Sequence, residues 1–405
     1  MLKRYFVTQQ KLALCIIIGI ALLESSATSA IVGKVPISSP SSHPMLSKNN
    51  DMPVQKKCAT FQNGGAEACL QAAGGEAPAE DILKDPDALH AYVKDFGLAQ
   101  TIARLHALEV SGHGDCHQLA HQAGRLAYAL VGMDAFNEIS PECQFGGFHG
   151  AAHSHFKERG TTHLVDDVGR ICPAKANAFY RYQCGHGIGH GLMAATDYEL
   201  PVALELCNEV LATHDACWSG VFMENILASR REHHVVPSTK YVSDDPQYPC
   251  TIVADLYKNE CYGFQPARMM QLFAGDLGRV ADSCADLPAV YQDGCFEGMG
   301  REASGASHRK PKVTIHSCRQ APKGRPRVQC LIGAVNDSFW DPAGQDPALT
   351  FCALLDLKAE KDACYETIFS GASEILFSRR EIQNFCAKAE PSYRRSCLKK
   401  PTVSN

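Results

Sequence analysis

Leu349–Phe377 reads LTFCALLDLKAEKDACYETIFSGASEILF. Leu349–Leu357 is a short helical pattern holding Cys352, Lys358–Lys361 is a polar turn, and Asp362–Phe377 is a second helical pattern. In the second pattern Tyr365, Ile368, Phe369, Ala372 and Leu376 recur at the spacing of one helix face. Cys352 thus sits late in the first helix and Cys364 early in the second. A bridge between them clamps the hairpin at its turn, which stabilises by roughly 3 kcal/mol on the chain-entropy view.

The same unit recurs along the chain. Pairing neighbouring cysteines gives Cys58–Cys69, Cys116–Cys143, Cys172–Cys184, Cys207–Cys217, Cys250–Cys261, Cys284–Cys295, Cys318–Cys330, Cys352–Cys364 and Cys386–Cys397. Eight of the nine separations fall between 10 and 12, and only Cys116–Cys143, at 27, is long. From Cys143 the second cysteines follow at steps of 41, 33, 44, 34, 35, 34 and 33. A period near 34 predicts an all-α chain: an α/α-hairpin solenoid of about seven to eight repeats, with one disulfide per hairpin. The two long steps carry polar insertions, at Lys157–Thr162 and at Arg230–Pro249, the latter with Pro237, Pro246 and Pro249. This layout resembles cysteine-stapled Sel1-like and tetratricopeptide-type repeat proteins over roughly residues 115 to 397, as architecture. Those families' consensus alanines, tyrosines and glycines are not matched, so the resemblance implies a fold and no function.

The ends differ from the repeats. Residues 1–30 read as a secretory signal: Lys3 and Arg4, an apolar run from Leu12 to Leu23, then small residues at Ala27–Ala30. Residues 31–57, rich in serine and proline, read as a disordered linker. A helical cap follows over 58–112, with Asp85–Ala99 and Thr101–Leu108 as an opening hairpin, and His113–Val131 starts a longer helix. His-rich repeats occupy 113–230, a loop insertion 231–249, further repeats 250–397 and a tail 398–405.

Of the 19 cysteines only Cys15 lies inside the signal, and 19 − 1 leaves 18, an even set. An exported chain with that set reads as a disulfide framework for the periplasm or the exterior. No CxxC occurs, so zinc ribbons and thioredoxin chemistry lose their signature. Net charge is −5 with no long basic run, which excludes nucleic acid as a partner; a membrane enters only if the signal stays uncut. Neither GxSxG nor HExxH is present.

The histidines crowd between His113 and His190. His117-x3-His121, His149-x3-His153 and His186-x3-His190 each put two imidazoles on one helix face, the spacing of metal ligands. Counted from the second cysteine of each pair, position +3 is Gly146, Gly187, Gly220, Gly298 and Gly333. Position +6 is His149, His190, Met223, Arg301 and Asn336. One stripe per unit thus carries a polar group toward a common concave surface, with glycines marking close helix approach or room for a ligand. His117 and His121 follow a first cysteine instead and join that centre only if their hairpin is turned differently.

The pattern predicts an exported transition-metal protein, with zinc, copper, iron or nickel on His117, His121, His149, His153, His186 and His190. If it is an enzyme, metal-assisted hydrolysis or oxidation follows, with Glu224 as a nearby general base or ligand. His113, His155 and His163 rank lower as ligands, and His233 and His234 read as surface residues. Arg301 with Glu297 and Glu302 reads as a structural ion-pair cluster ahead of an anion site. The alternative is a helical-repeat scaffold whose concave face binds a protein or cell-envelope partner without metal.

Overall fold

The computed structural model describes residues 81–399 apart from 112, 114–115, 173–177, 211–213, 229–238, 342–343 and 377, all within one compact unit. The signal, the linker, the Cys58–Cys69 pair, His233, His234, Pro237 and the tail beyond 399 lie outside the described residues. Helices and turns make up the described residues, with no strand among them, so the chain is all-α. The helices are α1 (Pro86–Val110), α2 (Cys116–Val131), α3 (Gly146–Arg159), α4 (Leu164–Ile171), α5 (Ala178–Ala195), α6 (Leu200–Cys207), α7 (His214–Leu227) and α8 (Asp255–Leu272). They continue as α9 (Leu277–Ala285), α10 (Ala289–Ala306), α11 (Pro311–Cys318), α12 (Arg325–Phe339), α13 (Gln345–Ala353), α14 (Lys358–Ile375), α15 (Arg379–Lys388) and α16 (Pro391–Leu398).

The eight expected cystines from Cys116–Cys143 to Cys386–Cys397 are all formed. Most join the end of a short helix to the helix that follows, as in α13–α14 and α11–α12. Cys250 instead follows a run of turns, because the proline-bearing insertion stands where other units have their short helix. Around Cys352–Cys364 the boundaries move by about one helical turn: Lys358–Lys361 begins α14, and Leu354–Leu357 makes the connection. Good helix formers there gain an i,i+4 ion pair, Lys358 Nζ to Asp362 at 2.6 Å, that favours helix over turn.

The cap also departs from expectation. One helical run covers Pro86–Val110, broken at Gly97 (φ +79°) where only glycine sits without strain. The Glu138 carboxylate accepts from the Leu98 and Ala99 amides at 2.7 and 3.3 Å, capping the second half. α2 begins at Cys116, not His113.

The long helices pack in chain order: α1 on α2, then α3, α5, α7, α8, α10, α12 and α14. The glycines at +3 explain how. A Cβ on Gly220 would lie 1.9 Å from the His186 carbonyl, on Gly298 2.2 Å from that of Gly263, and on Gly333 1.9 Å from that of Glu297. In each case +3 of one unit meets the carbonyl at +2 of the unit before. In the reciprocal contact a Cβ on Gly189 would lie 2.1 Å from the Cys217 carbonyl, and one on Gly300 1.9 Å from that of Cys330. Close helix approach, and not ligand space, is therefore what these +3 glycines provide.

The row does not stay open. α14 touches α5, and Trp340 meets Phe179 and Tyr182 edge-on, with ring centroids 5.4 and 5.6 Å apart. Arg309 joins Glu109 of α1 (2.8 Å) to Asp337 of α12 (3.2 Å), and Gln144 Nε2 donates to Asp337 at 3.2 Å. His106 Nε2 lies 2.8 Å from Asp341. These contacts bring late helices back onto early ones. Burial against the polar and aromatic edges of α12 makes this return favourable.

The His106–Asp341 contact carries a pH signature. The hydrogen bond to Asp341 raises the His106 pKa above its usual value, outweighing burial. A raised folded pKa adds stability that is complete below about 6.5, the unfolded value, and is lost as pH rises through the folded one. His106 should titrate above 6.5 by NMR, and Asp341→Asn should bring it back down. An unmoved titration in that variant would show the pair does not hold.

Candidate metal centre

Three helices supply the histidines: α2 carries His117 and His121, α3 carries His149 and His153, and α5 carries His186 and His190. The glycine contacts that join the helices fall beside them. A Cβ on Gly150 would sit 2.0 Å from the His121 carbonyl, just as Gly220 meets that of His186. Backbones held this close bring imidazoles from different helices into one cluster. His117, which expectation left out of register, does join: α2 lies directly against α3, since the long Cys116–Cys143 loop holds all of α2. His121 lies 4.9 Å from His190 and 5.2 Å from His149 between ring centroids, and His149 lies 4.9 Å from His186.

Two triads have donor atoms within 4.8 Å of one another: His117, His121 and His149, and His149, His186 and His190. Apart from His117, which is partly exposed, these side chains are buried, His190 at 0% and His149 at 1% exposure. Burial in first place, then neighbouring imidazoles, holds the pKa values of His121, His149 and His186 well below the usual histidine range.

The outer nitrogens are fixed from behind. His117 Nδ1 donates to the Cys143 carbonyl at 2.9 Å. Cys143, Gln144 and Phe145 all have positive φ (53°, 52° and 60°), a turn that costs on the order of 1 kcal/mol or more per residue and aims that carbonyl at the ring. His190 Nδ1 donates to Glu224 Oε2 at 2.7 Å. Ser219 Oγ places its one proton on the Ala216 carbonyl at 2.6 Å and so accepts from His186 Nδ1 at 2.7 Å. With Nδ1 protonated on both rings, Nε2 of His186 and Nε2 of His190 are bare lone pairs, and they face each other at 3.2 Å. The His117–His121 pair also meets Nε2 to Nε2 at 3.2 Å. Neither nitrogen of His149 makes a hydrogen bond of good geometry, although the Gln183 side chain lies close enough to act on the ring and raise its pKa slightly against the burial.

Glu224 is engaged behind the cluster. It accepts from Tyr198 Oη at 3.2 Å as well as from His190. Burial pushes its pKa up, but the His190 hydrogen bond and the electrostatic pull of the surrounding His153, His190 and Arg125 side chains overcome this and hold it at about 2. His153 joins neither triad: its Nε2 turns to Tyr198 Oη (3.2 Å) and Glu224 (3.6 Å), and burial lowers its pKa to about 4. His155 pairs with Tyr128 Oη at 3.1 Å and Asp167 at 3.5 Å, while His113 and His163 are exposed. Arg301 is held structurally, by the Gly263 carbonyl (2.8 Å), Glu302 (3.5 Å) and the Phe264 ring (4.2 Å).

Sequence reasoning passed over Ser219, Tyr198 and the Cys143 carbonyl. Ser219 stands at +2 after Cys217, the register of His186, and was legible there. Tyr198 reaches Glu224 from a left-handed turn at Asp197–Tyr198 (φ 50° and 62°), which no spacing marks.

Comparison with known proteins gives no match: no family model fits the chain, and no curated protein or solved structure is significantly similar to it. What is established is a disulfide-rich helical protein with buried histidine triads that can hold a metal ion.

Proposed function

We propose that the protein is an exported, disulfide-stapled metalloprotein holding a transition-metal ion on His149, His186 and His190. One observation carries this reading: two buried imidazole lone pairs face each other at 3.2 Å with their outer nitrogens already committed. Such an arrangement is repulsive until a cation joins it. Ligands roughly 2.0–2.1 Å from a tetrahedral zinc lie about 3.3–3.4 Å apart, close to the spacing here. A carboxylate or hydroxyl behind each ligating histidine is the usual device for orienting it and raising its basicity.

Imidazole donors suit zinc, copper, iron or nickel. When bound, such an ion supplies Lewis acidity or redox chemistry. Glu224 then acts as a positioning residue that orients His190 and offsets positive charge, not as a general base. His117, the least buried member, marks the side from which solvent or substrate approaches. Eight disulfides support an oxidising compartment, the periplasm or the exterior, and no helix of the described residues is long and apolar enough to cross a membrane.

The test is metal content by mass spectrometry after expression in an oxidising compartment. Wild type should carry a stoichiometric metal, lost in His149→Ala and His190→Ala while the helical circular-dichroism signal stays. No metal after reconstitution with zinc, copper and iron would overturn the reading and favour a scaffold for a protein or envelope partner.

A further inference from the structure

We infer that the centre holds two ions, bridged by His149 through its two ring nitrogens. The inference rests on the metal reading above. His149 belongs to both triads and contacts two pairs, His117–His121 and His186–His190, which also adjoin each other where His121 lies 4.9 Å from His190 between ring centroids. Its ring lies 5.6 and 5.2 Å from the first pair and 4.9 and 5.2 Å from the second, centroid to centroid. Each pair presents two Nε2 atoms 3.2 Å apart, which is one set of adjacent coordination positions per pair.

The hydrogen-bond inventory of His149 is the second, independent observation. A neutral imidazole has one donor and one acceptor nitrogen. Both nitrogens here are buried, with no hydrogen-bond partner. The interior normally satisfies such groups, at a cost of about 1–3 kcal/mol for each one left unmet. By contrast His117, His186 and His190 each have Nδ1 anchored. One nitrogen free for an ion describes a terminal ligand, as on His117, His186 and His190. His149 alone of the five triad rings has both nitrogens buried and without a hydrogen bond (His121 lacks a partner at Nδ1 only), the state that suits a bridge.

The balance is simple. Each ion forms bonds to the Nε2 atoms of its own pair and to one nitrogen of His149. To offer two lone pairs His149 gives up its ring proton to solvent, so it binds as an imidazolate. That single negative charge, with Glu224 behind His190, offsets part of the charge of two cations.

Copper(II) is the probe, because ions joined by one imidazolate couple magnetically. The apoprotein is loaded with excess copper(II), desalted, and assayed for copper by mass spectrometry and for spins by integrated electron paramagnetic resonance. Wild type should hold two coppers per chain, with a spin count well below the copper count. His121→Ala should keep one copper with a matching spin count, and His149→Ala should lose the coupled signal. His121→Ala retains the bridging residue, so it still decides the matter if His149→Ala fails to fold. One copper per chain in wild type, or two with a full spin count, would overturn the bridge while leaving a metal site. No copper at all would remove the metal reading itself.

Discussion

Alanine at Gly220 or Gly333 should melt far below wild type under oxidising conditions. The added methyl would lie 1.9 Å from a backbone carbonyl in either case, His186 for Gly220 and Glu297 for Gly333. Neither atom belongs to a side chain that can swing away, so two helices have to part by more than an ångström. Overpacking of this kind costs about 1–3 kcal/mol and sometimes more. Separating the helices also breaks the reciprocal contact at Gly189 or Gly300, which puts the expected cost at the upper end. Gly169 is the control. It lies in α4 with nothing within 4 Å of the Cβ position, so Gly169→Ala should gain up to about 1 kcal/mol from helix propensity. Thermal melts of the oxidised proteins by circular dichroism read all three. Equal melting of Gly220→Ala and Gly169→Ala would refute the close-packed crossing. Gly220 has a further consequence, since it sets the height of His186 against α7: the alanine variant should bind metal more weakly even where it still folds.

Why these contacts were partly legible is a matter of what a residue's identity encodes. Cysteine spacing fixed the hairpin, because a bridge joins two residues only where their Cα atoms lie within about 7 Å. Helical periodicity then located the apolar faces. The glycine register showed that something close lay at +3, but a sequence does not say whether a ligand or another backbone fills that space. Closure was not legible. Arg309 meets Glu109 across 200 residues, and His106 meets Asp341 across 235, pairings that no local pattern carries. His153 illustrates the limit at the centre itself. Four-residue spacing put it beside His149 on one helix face, yet the hydroxyl of Tyr198 and the carboxylate of Glu224 engage it instead. Spacing identifies which side chains share a face; the neighbours of that face decide which of them point at the ion.

Those neighbours are testable without touching a ligand. Glu224→Gln should weaken metal binding about 10–100-fold and leave the apoprotein's melting temperature nearly unchanged. Glutamine fits the same space and its carbonyl can still accept from His190 Nδ1, now 2.7 Å from a carboxylate oxygen. The change therefore removes charge and keeps shape. The lost charge acts twice: it no longer raises the electron density that His190 Nε2 offers an ion, and it no longer offsets an ion buried at a residue of 0% exposure. Ser219→Ala, which frees His186 Nδ1 but removes no charge, should have the smaller effect. Affinity is read by competition with a chelator of known strength, with the apoprotein melt as companion. If Glu224→Gln binds metal as wild type does, Glu224 is a structural partner of Tyr198 and nothing more. If affinity and apoprotein stability fall together, the carboxylate is holding the fold, and its link to the ion is indirect. Loss of affinity alone ties the charge behind His190 to the metal in front of it.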